Sequence, residues 1–176
     1  MLELPIHGAT RFVLVRPHYP ENVGAAARAI KTMGFTRLTL VKPGRLAVPE
    51  HEMAHKMAVK SWDVLERATR SETLAEALTG VDRVFATTSR RGVSGVLTAR
   101  QAAARVLDAS ACGQQVAILF GNEKTGLSEE DLAQASDCIR IPMAADQPSI
   151  NLAQATQLIA YELFVAALEV RNAEQR

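Results

Sequence analysis

At 176 residues with 48% apolar, the chain has room for one globular domain around a single buried core. A formal net charge of +1 excludes a uniformly basic nucleic-acid coat but not a local basic face, and arginine outnumbers lysine three to one, as favoured where phosphates are gripped in a fork. Cys112 and Cys138 are unclustered, no charged-then-apolar leader opens the sequence, and the only long apolar run carries Gln and Glu, so reduced thiols, no membrane span and a cytoplasmic location are expected.

Residues 11–16 (RFVLVR) read as a short buried strand stopped by Pro17, followed by a loop and by Asn22 as the cap of a helix over 23–33. Gly34 closes that helix in the left-handed conformation, and 37–42 (RLTLVK) is the next strand. Strand, helix and strand in so short a span predict a βαβ unit with parallel pairing. Residues 49–79 read as two helical pieces broken near Ser71, 83–87 as a strand running into Thr88-Ser89-Arg90-Arg91-Gly92, and 98–108 as an amphipathic helix. Residues 115–120 are apolar without clean alternation, the pattern of a strand buried on both faces. Ser128 and Asp131 make a capping box for a short helix, 138–141 form another apolar strand, and Asn151 caps a long helix over 152–170.

That last helix carries two apolar stripes. Leu152, Ala155, Ile159, Leu163, Ala166 and Val170 lie on one, and Leu158, Tyr161, Val165 and Leu168 on the other. A surface helix needs only one stripe. A partner subunit is expected to cover the second, the alternative being a central core helix. No repeats or linkers interrupt the chain, so residues 1–176 form a single domain.

The polar and glycine residues gather where strands end, the usual place for ligands in open α/β sheets. Gly121 and Gly126 have the spacing of a phosphate-binding loop, but Leu127 stands where its lysine is required, which argues against a nucleoside triphosphate. The dinucleotide fingerprint G-x-G-x-x-G is absent. His51-Glu52-Met53-Ala54-His55 matches the zinc-protease signature, with both histidines expected on one helical face, yet no third ligand follows and no metal is expected. In Asn22-x-Gly24-x-x-x-Arg28, the absent side chain at Gly24 is expected to let the Arg28 guanidinium lie back toward the helix start. There it would join the positive end of the dipole and suit a phosphate or an oxyanion, although a solvated charge explains the same residues taken alone.

Three clusters together resemble the three motifs of the SpoU (TrmH-like) branch of the SPOUT RNA methyltransferases. They are Asn22-x-Gly24-x-x-x-Arg28, residues 120–127 (FGNEKTGL), and Ile141-Pro142-Met143 with Ser149-Ile150-Asn151-Leu152. They stand in the family's order and spacing across nearly the whole chain. Within the branch, residues 20–34 and 87–90 (TTSR) are most similar to the TrmJ-type tRNA 2′-O-methyltransferases.

The resemblance implies an α/β fold, a mostly parallel sheet flanked by helices, whose part from about 115 to 170 is tied in a deep trefoil knot; general topology rules alone argue against a knot. It implies an obligate homodimer and S-adenosylmethionine (AdoMet) held by groups around Thr88, Ser89, Gly121, Asn122, Ile141, Met143, Ser149 and Ile150, with Leu152 packing nearby. It further implies methylation of RNA ribose, foremost cytidine or uridine 32 of tRNA, with Asn22, Arg28, Glu123, Ser149 and Asn151 as the catalytic set and Arg28, Arg90 and Arg91 on the RNA. Ribosomal RNA, another tRNA position, or a non-catalytic RNA- or AdoMet-binding module are the alternatives, and the Asn22/Arg28 pair favours an enzyme. Because a guanidinium is a very weak acid with no lone pair to spare for a proton, Arg28 is expected to stabilise the incipient alkoxide rather than to act as a literal base. His18 is the other candidate for the proton. TrmJ-type chains usually carry a C-terminal extension that helps hold tRNA, and this sequence stops at Arg176, so a truncated chain or another grip on RNA is expected.

Overall fold

Short runs rich in Val, Ile, Leu and Phe alternate with Ala-rich segments, and each takes the structure its composition favours. The computed structural model describes residues 2–176. Its elements are α1 (Pro5–Ala9), β1 (Thr10–Val15), α2 (Pro20–Thr32), β2 (Leu38–Val41), α3 (Glu52–Ala58), α4 (Trp62–Glu66), β3 (Thr69–Ser71), α5 (Leu74–Ala77), β4 (Arg83–Thr87), α6 (Ala99–Ala111), β5 (Val116–Phe120), α7 (Glu129–Ala133), β6 (Asp137–Ile139) and α8 (Leu152–Glu174). All six strands pair in parallel in the order β3-β2-β1-β5-β4-β6. The expected βαβ unit is present, with Phe12 opposite Leu38 and Val15 opposite Val41.

In place of the single core expected, the sheet divides the apolar residues in two. Phe12, Leu14, Phe85, Ile118 and Phe120 face one side, where α2, α6 and α8 supply the cover. Val13, Val15, Ala117 and Leu119 face the other, against Leu74, Ala77 and Leu127. Successive residues of a strand point to opposite faces, so a strand covered on both sides must be apolar throughout. All five residues of β5 are buried, as its composition implies.

Three local expectations are corrected. Asn22 does not cap α2: the helix starts at Pro20, whose fixed φ suits a first helical position, and Tyr19 is the cap. Residues 49–79 are not two helices, because α3, α4 and α5 are interrupted by the edge strand β3, aligned on β2 with a 2.7 Å hydroxyl contact between Thr39 and Thr69. His51 lies outside the helix, its Nδ1 accepting from the Met53 N–H at 3.1 Å, so the two histidines of the zinc-like signature do not share a helical face.

Three expected helix ends are present. Gly34 (φ +88°) ends α2 in a Schellman arrangement, its N–H bonded to the Lys31 carbonyl and that of Phe35 to Ile30. Ser128 and Asp131 form their capping box, and the Asn151 side chain accepts from the Ala153 and Gln154 N–H groups at the head of α8. Along α8, Leu152, Ile159 and Leu163 are buried in the core, while Leu158 and Tyr161 of the second stripe are 42% and 49% exposed. Among the described residues no helix is long and apolar enough to cross a membrane.

Candidate active site

The chain order runs outward from β1 through β2 to β3, then restarts on the other side with β4, β5 and β6, so the strand order reverses between β1 and β5. Ligands bind beyond the carboxyl ends of strands at such a switch point. The loops leaving the neighbouring strands β5, β4 and β6, on one side of that reversal, line an open cavity of about 230 Å³ beyond their carboxyl ends, completed by the first turn of α8.

Loop 121–127 is built to hold its shape. Gly126 adopts φ +70°, and a Cβ on Gly121 would fall 2.3 Å from the Gly126 carbonyl carbon and the Leu127 nitrogen, so only glycine allows the loop to fold back on itself. The Asn122 carboxamide accepts from the Lys124 and Thr125 N–H groups at 2.9 and 3.2 Å, and its Nδ2 donates to the Arg16 carbonyl at 2.7 Å. Leu127, in the position a phosphate-binding lysine would occupy, is buried. Beneath the loop, Arg16 and the buried Asp131 form an ion pair. Burial opposes ionisation of Asp131, but the Arg16 guanidinium and the Ser128 N–H and hydroxyl outweigh it and hold the carboxyl below its ordinary range.

Three segments far apart in sequence meet through one carboxylate. Glu123 Oε2 accepts the His18 N–H at 2.8 Å, and Oε1 accepts the Tyr19 N–H at 3.2 Å and Asn22 Nδ2 at 2.9 Å. Asn22 Oδ1 in turn accepts from Asn151 Nδ2 at 3.0 Å, while Asn151 Oδ1 caps α8. This chain of bonds orients the start of α2, the loop after β5 and the start of α8 together. It accounts for Asn22 being buried inside a helix with both ends of its carboxamide bonded.

The residues singled out from sequence divide accordingly. Thr88, Ser89, Gly121, Asn122, Glu123, Ile141, Met143, Ser149, Ile150 and Leu152 all line the cavity, whereas Asn22 and Asn151 join it only through Glu123 and each other. Arg90 also lines it, with Nη2 donating to the Leu127 carbonyl at 2.8 Å, and Arg91 lies outside, paired with Asp146 at 2.5 Å. Arg28 is exposed on α2 and contributes no atom to the cavity of its own chain. Nor can it lie back over Gly24 as expected, because the backbone of Ala54 occupies that space: a Cβ on Gly24 would sit 2.0 Å from the Ala54 oxygen. Gly24 is required for the close crossing of α2 and α3. Sequence reasoning missed Lys124 and Tyr19 as neighbours at the cavity mouth; their signal was a ring and a cation at the ends of adjacent strands.

The lining suits a ligand with a flat apolar part and many hydrogen-bonding groups. Phe120, Ile139, Ile141 and Leu152 supply apolar wall, and the backbone N–H groups of Ser89, Ile141, Met143 and Ile150 make no hydrogen bond among the described residues. Free backbone donors beside apolar side chains are the groups an adenine, a ribose and an amino-acid carboxylate would use.

Comparison with known proteins gives the chain's relatives. A model of the SpoU rRNA Methylase family matches residues 9–161. The tRNA (cytidine/uridine/adenosine-2'-O-)-methyltransferase TrmJ of Pseudomonas aeruginosa (strain UCBPP-PA14) is 37% identical over 164 residues, covering 92% of this chain and 63% of that protein. The chain therefore spans a little under two thirds of that relative's length. The crystal structure of TrmJ from Z. mobilis ZM4 is similar with a TM-score of 0.80 at 36% identity, covering 89% of this chain and 69% of that one. An AdoMet-bound rRNA methyltransferase from Sinorhizobium meliloti is similar with a TM-score of 0.70 at 27% identity, covering 92% of this chain and 57% of that one.

Proposed function

The chain belongs to the SpoU rRNA Methylase family, and from that premise we propose that it is an AdoMet-dependent RNA ribose 2′-O-methyltransferase acting on tRNA. The observation that carries the reading is the Glu123–Asn22–Asn151 chain, which ties the first motif to the cavity lined by the other two.

AdoMet supplies a methyl group already activated, because a neutral thioether leaves when the methyl is transferred. The protein then has to hold donor and ribose in line, exclude water and manage a poorly acidic proton. The free N–H groups of Ser89, Ile141, Met143 and Ile150 hold the donor's polar atoms, Ile139, Ile141 and Leu152 take its base, and Thr88, Gly121, Asn122 and Ser149 complete the contour. The segment from β5 to α8 is the deep trefoil knot of the family, a reading that rests on the match of the SpoU family model to residues 9–161.

Arg28 stabilises the negative charge that develops on the 2′-oxygen. Since it lies outside the cavity of its own chain, it serves the partner's cavity in a homodimer. The apolar face of α8 around Leu158 and Tyr161, beside the α2 helix that carries Arg28, supports such an interface. Asn22, Glu123, Ser149 and Asn151 position the reacting groups, and Arg90 and Arg91 lie on the RNA side. The substrate nucleotide is cytidine or uridine 32 of the anticodon loop, and two cysteines outside any disulfide fit work in the cytoplasm.

Incubation with labelled AdoMet and total RNA, followed by mapping of methylated riboses, tests this. Label at position 32 of tRNA is the expected result. Label confined to ribosomal RNA or to another tRNA position moves the substrate within the same chemistry, and none at all leaves a binding module.

A further inference from the structure

The cavity mouth carries an aromatic and cationic cluster to which the donor site assigns no role. His18 and Tyr19 are exposed, the latter by 43%, and their rings meet edge to face with centroids 4.6 Å apart. Lys124 Nζ lies 3.0 Å from His18 Nε2 and 5.5 Å from the centre of the Tyr19 ring. The lysine's neighbour here is a ring nitrogen and not a carboxylate, so the contact brings no anion to its charge. The neighbouring loop adds two more cations. Gly44 lies against the Pro17–His18 backbone, with a Cβ there 3.2 Å from the Pro17 oxygen and 3.7 Å from the His18 Cα, and exposed Lys42 and Arg45 flank it in sequence. Among the described residues Lys42, Arg45 and Lys124 enter no ion pair.

We propose that His18, Tyr19 and Lys124 form the platform that receives an unpaired nucleotide of the RNA substrate, its base on the Tyr19 ring and its phosphate on Lys124, with Lys42 and Arg45 extending the phosphate track. Unpaired bases are recognised by stacking on exposed rings, and the backbone by cations free of carboxylate partners. A phosphate that draws the Lys124 ammonium to itself uncovers the ring face over which that ammonium lies. Glu123 fixes the geometry, because the carboxylate that accepts the His18 and Tyr19 N–H groups belongs to the loop lining the donor cavity. A nucleotide on the platform is thereby held at a set position relative to the donor. The inference rests on the methyltransferase reading but is tested apart from it.

Binding of a fluorescent RNA hairpin with an unpaired loop is measured for the unaltered chain, Tyr19→Ala, Tyr19→Phe and Lys124→Gln, alongside calorimetric AdoMet affinity for the Tyr19 variants. Tyr19→Ala is expected to weaken the hairpin about tenfold or more, and Tyr19→Phe, which keeps the ring, by no more than about twofold. Lys124→Gln is expected to lower the slope of log affinity against log salt by about one. AdoMet affinity stays unchanged in both Tyr19 variants, whose side chain is outside the cavity lining. Failure of the unaltered chain to bind the hairpin, or equal binding by Tyr19→Ala, overturns the platform. Tyr19-dependent RNA binding without AdoMet binding upholds the platform and removes the methyltransferase reading alone.

Discussion

Arg28→Ala is expected to slow methyl transfer to RNA by about 10²- to 10⁴-fold while leaving AdoMet affinity within about twofold. The 2′-hydroxyl becomes nucleophilic only as its proton departs, and a fixed cation beside the oxygen lowers the cost of that charge. A guanidinium serves because it stays protonated and presents its N–H groups in a rigid plane. Such a charge is effective only where water is excluded, yet Arg28 is exposed in the single chain. In the proposed homodimer a partner protomer provides the dry surroundings. Arg28→Lys keeps the charge but not the fork and is expected to recover only part of the rate. Mixed dimers of Arg28→Ala with Gly121→Ala, whose new Cβ would collide with the loop backbone at 2.3 Å, distinguish the two arrangements. Restored activity in the mixture means that Arg28 acts across the interface. An unaltered Arg28→Ala rate removes it from the mechanism.

The second large effect is expected at Glu123. Its carboxylate accepts two backbone N–H groups and the Asn22 amide, and hydrogen bonds to a charged acceptor are worth roughly 1.5–3 kcal/mol each where shielded. Water reaches this half-exposed group, so the expected loss of stability for Glu123→Ala is about 1–3 kcal/mol rather than the full sum. Function should suffer more than stability. The loop after β5 loses its tie to Asn22, Asn22 keeps only Asn151, and the reacting groups drift from alignment. A fall in kcat/KM of about 100-fold is expected, since small misplacements cost that much. Glu123→Gln retains an acceptor oxygen and is expected to lie between. Thermal melts and single-turnover rates on the same samples separate the two effects, and a Glu123→Ala enzyme of full activity contradicts the positioning role.

Much of this arrangement was legible because its signals are local. The Ser128–Asp131 capping box, the Asn151 cap and the left-handed Gly34 depend on neighbours within a few residues, and each is where the pattern put it. What was misread depends on distant partners. Asn22 has the chemistry of a cap, but its oxygen bonds to Asn151 and its nitrogen to Glu123, contacts 129 and 101 residues away. Gly24 was assigned to make room for Arg28, whereas the tight neighbour is Ala54 on another helix. Strand β3 has three residues, largely exposed, and carries no apolar alternation to betray it; pairing with β2 makes it a strand. Thr88, Ser89, Ile141, Met143 and Ile150, named through the family resemblance, line one cavity because the loops carrying them leave neighbouring parallel strands at the same edge of the sheet. The distance between Arg28 and that cavity is a property of the folded chain that no spacing in the sequence conveys.

Titrating AdoMet into the purified chain, with heat as the readout, is the most direct test of whether the loops after β4, β5 and β6 form a methyl-donor site. Saturable uptake of one AdoMet per chain, abolished by Gly121→Ala, is the predicted result. No uptake, or uptake indifferent to Gly121→Ala, contradicts the assignment of the cleft and the chemistry built on it.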